Sequence, residues 1–400
     1  MKPRENKFFE RSNPGRKRSY SATNVAWRRR ATFLLLVFGG LLPAVHAQTN
    51  APDTVHSATA FLGEASCSSS GCHGGAGEKR DQCIRWSKLD VHVRSYATLT
   101  RARSARIADV LKISDATTSP RCTVCHAPFQ SIAIDAVLTK ALDPLAGVSC
   151  ESCHGPAGNW LLSHTRPDFT HEDRVRAGMR DLKNLYARAN TCVACHQNVD
   201  ADILRAGHPE LIFELDGQSV SEPKHWREPT DWAAPQTWLV GQAVALREMS
   251  WQLTNETAPT ENARERVEAL AWLLQSVGKA NSAWLTGDVA SAQAWSDALA
   301  REAARGSWTQ ETTHKCLGAL ADTGGDFRAA SLARGIQARR AERLVLALDR
   351  LATGLDDASA KRLDAALNQL FKDAQSLPDF DALKFAGHLD GFKQALAAMP

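Results

Sequence analysis

Several features are scarce in this sequence of 400 residues, and each scarcity excludes a class of protein. Beyond residue 47, no apolar run reaches the ~20 residues that a membrane-spanning helix needs. Residues 1–47 hold 10 Lys+Arg and 2 Asp+Glu, so the rest of the chain has 38 basic and 42 acidic residues, a net charge of −4. Because the excess of positive charge is confined to the amino terminus, nucleic-acid binding has no support. Of the 10 cysteines, only Cys316 lies outside residues 67–195.

Residues 1–47 have the pattern of an export signal. A basic stretch precedes an apolar stretch of residues 31–45, and Val45 and Ala47 provide small residues before a cleavage site. An uncleaved anchor is the alternative, but the apolar stretch is shorter than a membrane span. We therefore expect cleavage after Ala47 and no membrane span in the mature protein.

The cysteines form a repeated motif that is typical of one kind of cofactor site. Three copies of Cys-x-x-Cys-His and one stretched copy occur at Cys122–His126, Cys150–His154, Cys192–His196 and Cys67–His73. In such motifs the two thiols add to the vinyl groups of haem, and the adjacent His becomes the proximal iron ligand. A zinc site is the alternative, but exported thiols not protected by haem would tend to oxidise. The sequence thus predicts four covalently attached haem c groups.

Each motif assigns two attachment residues and one ligand. The predicted attachment residues are Cys67, Cys72, Cys122, Cys125, Cys150, Cys153, Cys192 and Cys195. The predicted proximal iron ligands are His73, His126, His154 and His196. Cys83 and Cys316 remain, and Cys316 is expected to be a buried thiol. Glu151 and Arg121, in and beside motifs, either tune a haem or are simply solvated.

The composition changes along the chain and indicates a mainly α protein. We expect a signal peptide at 1–47, a linker at 48–60, a loop-rich multihaem cytochrome c domain at 61–222, and an α-helical bundle at 236–400. Apolar residues three and four apart predict bundle helices at 236–254, 260–279, 288–304, 328–353, 358–377 and 380–397. One helix is predicted in the first domain, at about 79–113, where the haem rings themselves would supply most of the apolar core.

The sixth ligand of each iron decides between electron transfer and chemistry on a small molecule. A second His closes the coordination sphere, whereas an empty position admits a ligand. The distal candidates are His92, in the predicted helix 79–113, His164, which follows the third motif, and His208, which lies between Gly207 and Pro209.

The arrangement resembles the tetrahaem cytochrome c-554 family over residues 61–215. The shared elements are the four motifs, Trp86-Ser followed by His92, and above all the run Gly147–Pro156 with His164 after it. The resemblance covers nothing after about residue 230, so the helical half has no counterpart in it.

The resemblance implies that the haems pack in close pairs and that His92 and His164 are distal ligands. In this family the second haem, on His126 here, is typically five-coordinate. The segment around His208 has no clear counterpart, so His208 is our candidate for the distal ligand of the fourth haem. His225 is the alternative position for the family's later ligand.

We expect a periplasmic tetrahaem cytochrome that transfers electrons between redox partner proteins through closely packed haems, with quinol-linked proteins or other cytochromes as candidate partners. The alternative is a haem enzyme acting on a small nitrogen or sulfur species at a five-coordinate haem, although no residue is assigned as catalytic. A third hypothesis is a sensor or scaffold. If the protein is an electron carrier, we expect the helical bundle to serve in docking or oligomerisation.

Overall fold

The computed structural model describes most of the chain after residue 59. The described residues are 60–131, 142–260, 262–329, 332–375 and 379–399. The predicted signal peptide and the predicted linker, apart from residue 60, lie outside the described residues. The described residues all belong to one compact unit, which spans residues 50–400.

Helices make up the regular structure of the described residues, which contain no β-strand. In the cysteine-rich half they are α1 (Gln82–Leu89), α2 (Ser95–Leu99), α3 (Ala102–Leu111), α4 (Pro120–His126), α5 (Cys150–His154), α6 (His171–Arg176), α7 (Leu185–His196), α8 (Ala201–Arg205) and α9 (Leu215–Ser221). In the second half they are α10 (Ala234–Asn255), α11 (Ala263–Gly278), α12 (Ala292–Arg305), α13 (Gln310–Ala321), α14 (Gly324–Arg328), α15 (Arg334–Ala352), α16 (Asp357–Ala374) and α17 (Ala382–Ala397). None of the described helices combines the length and the apolar character that crossing a membrane requires. The expectation of a mainly α fold is confirmed.

The single helix predicted for residues 79–113 is wrong, because that stretch is divided into α1, α2 and α3. Asp90 ends α1 with an extended backbone, at φ −76° and ψ 133°. Its carboxylate accepts a hydrogen bond of 2.9 Å from the backbone N–H of His92, a local bond that competes with the helical one. His92 therefore lies beyond the helix, in the 3₁₀ turn His92–Arg94.

The helical half contains the six predicted helices, with shifted ends, and two that were not predicted, α13 and α14. Helix α13 starts at Thr309, whose hydroxyl accepts a hydrogen bond of 3.1 Å from the backbone N–H of Thr312. Its buried face includes Thr313 and Cys316 beside leucines. Because polar residues occupy part of the buried face, the apolar periodicity that marks the other helices is weak here.

A single hydrophobic core runs through the helical half and continues into the cysteine-rich half. Helix α10 contacts α7, α9, α11, α12 and α15. Helix α7 adds Leu185, Ala189 and Val193, one residue per turn along one face, to the same core. Packing is therefore continuous across the predicted domain boundary, which itself stays a prediction. A second, small cluster in the cysteine-rich half joins Phe61 and Phe129.

Truncating a leucine at the centre of the core tests this packing. Leu344 of α15 is fully buried, so Leu344→Ala should lower the free energy of unfolding by ~2–5 kcal/mol, through lost burial and the cavity left behind. Leu383→Ala is the matched control, because Leu383 is 68% exposed and should change stability by less than ~0.5 kcal/mol. Urea unfolding followed by far-UV circular dichroism measures both, and equal effects would contradict the described core.

Candidate functional site

The three unmodified motifs each close a helix. Helices α4, α5 and α7 end at His126, His154 and His196 respectively. Positions i, i+3 and i+4 of a helix share one face, so the two thiols and the imidazole of each motif project to the same side. Asn184 begins α7 by accepting hydrogen bonds from two backbone N–H groups of the first turn.

The stretched motif reaches the same result through a turn. The backbone N–H of His73 donates to the carbonyl of Cys67 at 3.1 Å, and that of Cys72 donates to the carbonyl of Ser69 at 2.9 Å. These bonds loop out the additional residues and return His73 to the neighbourhood of Cys67.

Each motif histidine lies beside a second histidine from elsewhere in the chain. The pairs and the distances between their ring centroids are His73–His164 at 6.1 Å, His92–His196 at 5.9 Å, His126–His208 at 6.4 Å and His154–His225 at 6.3 Å. The structure thus brings all three predicted distal candidates beside a motif histidine. The fourth partner, His225, was only an alternative in the sequence, where Lys224 and Trp226 of a Pro/Trp-rich connector flank it.

The assignment of His208 to the fourth motif is wrong, because His208 lies beside His126 of the second motif. The histidine beside His196 of the fourth motif is His92. An imidazole therefore faces the second motif, at the position where the family resemblance implied an open site.

An ion pair explains why the segment of His208 lies near the second motif. Arg121, directly before Cys122, contacts Asp200 at 2.9 Å and Asp202 at 2.6 Å, and these two aspartates lie at the start of α8. Both carboxylates raise the pKa of Arg121. Because α8 leads into His208, these partly exposed contacts, worth ~0–1 kcal/mol each, join the segment of that histidine to the second motif. Arg121 thus has a positioning role that its place beside the motif did not reveal.

Hydrogen bonds orient most of these imidazoles through the Nδ1 atom. The acceptors are Gln82 Oε1 for His73 (2.9 Å), Asp90 Oδ1 for His92 (2.9 Å), Thr98 Oγ1 for His126 (2.9 Å), the Leu161 carbonyl for His164 and the Pro209 carbonyl for His208 (2.8 Å). A ring that donates its Nδ1–H to such an acceptor keeps the Nε2 lone pair free for a metal. The histidines are therefore arranged as ligands.

The Nδ1–H of His196 can donate a hydrogen bond in the same way to Gln218, if the oxygen and nitrogen of the Gln218 amide exchange places. The Nδ1 atom of His196 lies 3.2 Å from Nε2 of Gln218, while Oε1 of Gln218 is buried without a partner. Rotating the amide by half a turn presents Oε1 to the His196 Nδ1–H and satisfies both groups. Helix α9, which carries Gln218, thus orients the fourth motif.

Burial keeps several of these imidazoles neutral. It lowers the pKa of His154 and that of His196 to about 4, and it also lowers the pKa of His126. The neutral imidazole is the form that ligates a metal. His92 is the exception, since its hydrogen bond to the Asp90 carboxylate raises its pKa.

The thiols and imidazoles of the motifs do not converge as a zinc site requires. Within the described residues, the only His, Cys, Asp or Glu side chains with three ligand atoms close enough to hold a bare cation are Asp90, His92 and Glu222. The buried carboxylate of Asp90 already accepts a hydrogen bond from Nδ1 of His92. Burial also raises the pKa of Glu222 to about 7. A tetrahedral Cys/His zinc site is therefore not formed by any motif.

The thiols show which motifs are neighbours. The thiols of Cys67 and Cys150 lie close enough together to shift each other's pKa, and so do those of Cys125 and Cys195. The first motif therefore adjoins the third, and the second adjoins the fourth. Every cysteine of the described residues is a free thiol, and Cys316 is fully buried, as expected.

The Gly147–Pro156 run holds the His92 segment in place. Gly147 has φ +73°, and an added Cβ would lie 2.8 Å from the carbonyl oxygen of His92, so only glycine fits. The next residue, Val148, donates its backbone N–H to that same carbonyl at 3.2 Å. The Val148 carbonyl in turn accepts a bond of 3.0 Å from the Trp86 indole. The run thus ties the third motif to His92, the histidine that lies beside the fourth motif.

Glu151, inside the third motif, is a buried structural residue. It is 1% exposed, and its carboxylate accepts backbone N–H bonds from Leu62, Gly63 and Ala157 at 2.7–3.1 Å. Burial nevertheless raises its pKa. The side chain fastens the segment before the first motif to the third motif, a role that the sequence did not indicate.

The comparisons with known proteins agree with the first three motifs. Residues 66–155 match the family described as cytochrome c554 and c-prime. No curated protein and no solved structure matches the chain. The resemblance stated from the motifs is confirmed over residues 66–155, which have the character of a c-type cytochrome. The fourth motif and the helical half lie outside the match.

Replacing Glu151 tests its role as a fastener. Glu151→Gln replaces one acceptor oxygen with an NH₂ group that faces backbone donors, so the free energy of unfolding should fall by ~1–3 kcal/mol. Amide hydrogen exchange at Leu62 and Gly63 should become faster. Glu302→Gln, at an exposed position, is the control. Unchanged exchange at both amides would contradict the assignment.

Proposed function

We propose that the chain is a periplasmic electron carrier with four haem c groups, each held by one motif and ligated by the two histidines of one pair. The observation that carries the proposal is the set of four histidine pairs, each of which joins a motif histidine to a histidine outside the motifs. The match of residues 66–155 to a c-type cytochrome family supports it.

The separation of the rings in each pair fits an iron between them. Fe–N bonds to imidazole are about 2 Å long and a ring centroid lies roughly 1 Å behind its nitrogen, so the two centroids should be about 6 Å apart. The four observed separations of 5.9–6.4 Å agree with this value. Two imidazoles in direct contact would need no such regular spacing.

The donor set also fits. The proposed ligands are His73 with His164, His126 with His208, His154 with His225, and His196 with His92. The thiols available for attachment are free in all four motifs. Among the described residues of the cysteine-rich half, the one apolar cluster separate from the main core is a small one around Phe61 and Phe129, which agrees with a fold that is completed by a large apolar cofactor.

Haem c supplies a one-electron couple at its iron, and with two histidine ligands that couple needs no bond to a substrate. The residues of this chain hold the centres and tune them. The contacts between Cys67 and Cys150, and between Cys125 and Cys195, bring the first centre near the third and the second near the fourth. Electrons would pass between the two centres of each such pair, from one pair to the other, and to redox partner proteins. Quinol-linked proteins and other cytochromes are candidate partners.

The alternative, an enzyme acting on a small nitrogen or sulfur species, requires a centre with an open position. The family resemblance indicated the second motif. His208 lies 6.4 Å from His126 there, at the separation of the other pairs. This observation favours the carrier, and the periplasmic location rests on the export signal and on the covalent attachment of haem.

Haem quantification tests the number of centres. The exported protein should contain about four haems per chain, one for each motif, by the pyridine haemochrome assay and mass spectrometry. Cys122→Ala with Cys125→Ala should reduce the count by one. Cys83→Ala and Cys316→Ala, at the two cysteines outside the motifs, should leave it unchanged. A wild-type count of three, with no loss on changing Cys67 and Cys72, would exclude the first motif.

The spin state of the iron separates the carrier from the enzyme. All centres of the wild-type protein should be low-spin, and the reduced protein should bind no carbon monoxide, because two histidines fill the axial positions. His208→Ala should create about one high-spin centre that binds carbon monoxide. His171→Ala is the control, since Nε2 of His171 is already bonded to Asp181. Carbon monoxide binding by the wild-type protein would favour the enzyme.

A further inference from the structure

His225, the histidine beside the third motif, is held differently from the other three histidines that pair with a motif histidine. It lies on an irregular connector between α9 and α10. Its Nδ1 is buried and makes no hydrogen bond. The backbone of Pro223, two residues before it, raises the pKa of His225 against the stronger lowering by burial. Whatever fixes the position of His225 must therefore act through its neighbours in the chain.

The next residue, Trp226, is bound to helix α7 through a buried ion pair. Arg188 of α7 donates two parallel hydrogen bonds of 3.0 Å to the Glu228 carboxylate, and both side chains are only 10% exposed. The Trp226 indole N–H donates to the same carboxylate at 2.7 Å. The Arg188 guanidinium also lies 6.0 Å from the Trp226 ring centroid. Bidentate, charge-assisted bonds of this kind are among the strongest that side chains form.

The triad transmits its position to His225 by direct contact. The rings of His225 and Trp226 pack edge to face with centroids 5.2 Å apart. On its other side, His225 lies 6.3 Å from His154. Trp226 therefore stands between the anchored Glu228 and the imidazole that faces the third motif.

The other attachments of the connector are weak. Arg227 pairs with Glu78 at 3.1 Å, but both side chains are at least 70% exposed, and such pairs contribute ~0–1 kcal/mol. Arg85 donates one exposed hydrogen bond of 3.3 Å to the Lys224 carbonyl. Lys224 also lies 5.3 Å from the ring centroid of Trp232, farther along the connector. Among the ion pairs and hydrogen bonds of residues 224–228, those of the triad are the most buried.

We propose that Arg188, Trp226 and Glu228 form a latch that keeps His225 on the iron of the third motif, and that its release opens this centre to a small neutral ligand such as carbon monoxide or nitric oxide. The proposal rests on the ligation proposed above. In the exchange, the dative bond from His225 breaks and one from the incoming ligand forms, with no transfer of electrons or protons. Lys224 and Arg227 on either side of this stretch are exposed.

The test compares two variants of the latch with a matched control. Glu228→Gln weakens both the ion pair and the indole bond. The double variant with Arg188→Gln and Glu228→Gln removes both charges, so no buried charge is left unpaired if the single variant fails to mature. Asp326→Asn is the control, because Asp326 accepts a 2.7 Å bond from the Trp272 indole and Arg340 lies 5.0 Å from the Trp272 ring centroid. That second triad lies on helices α11, α14 and α15, away from every motif.

Each latch variant, reduced under carbon monoxide, should bind up to about one ligand per chain, whereas the wild type and Asp326→Asn should bind none. Added imidazole should compete with carbon monoxide and restore the low-spin spectrum, which a merely structural defect would not allow. In a His225→Ala background the latch substitution should add no second binding centre.

Three results would overturn the latch: latch variants that bind no carbon monoxide, equal binding by Asp326→Asn, or a second centre opened in the His225→Ala background. Failure of the proposed ligation would be seen separately, in the wild-type protein. There it would produce fewer than four haems, or a high-spin centre that is present before any substitution.

Discussion

The pairing of histidines distant in the sequence is the constraint on which the cysteine-rich half depends. Each motif is local, but the imidazole that completes its pair arrives from another segment, and closing such long loops costs conformational entropy. Coordination of both imidazoles to one iron would offset that cost and join the segments, as a structural metal does in small domains. The small side-chain core around Phe61 and Phe129 accords with a fold whose cohesion comes from its cofactors.

The partners of the imidazoles give the four centres different electronic environments. His92 donates to the buried carboxylate of Asp90, which makes its ring the strongest electron donor of the group. Carbonyl and hydroxyl acceptors have a smaller effect on their histidines, and His225 has no acceptor at all. With iron bound as proposed, the centre of His92 and His196 has the ligands best suited to stabilise the oxidised state.

Much of the local chemistry could be predicted from the sequence, because a Cys-x-x-Cys-His motif specifies its own geometry on a helix. The bundle helices followed from their apolar period, except the short α14 and α13, where Thr313 and Cys316 occupy the buried face. The partner of each histidine could not be predicted, since it depends on contacts between segments, such as that of Arg121 with Asp200 and Asp202. The break after α1 was missed for a related reason: the carboxylate of Asp90 bonds locally to His92 and competes with the helix.

The helical half is best understood as the support of the fourth motif. Leu185, Ala189 and Val193 of α7 belong to the core of the bundle. The same helix carries Arg188, which pairs with Glu228, and it ends in the fourth motif. Gln218 of α9 contacts His196, and α9 itself packs on α10. The bundle therefore fixes the helix that provides one proximal histidine and also anchors the connector of His225. With haem bound as proposed, the bundle would hold one centre through α7 and would restrain the connector beside another. Such rigidity would suit electron transfer, because tunnelling requires fixed separations and small reorganisation.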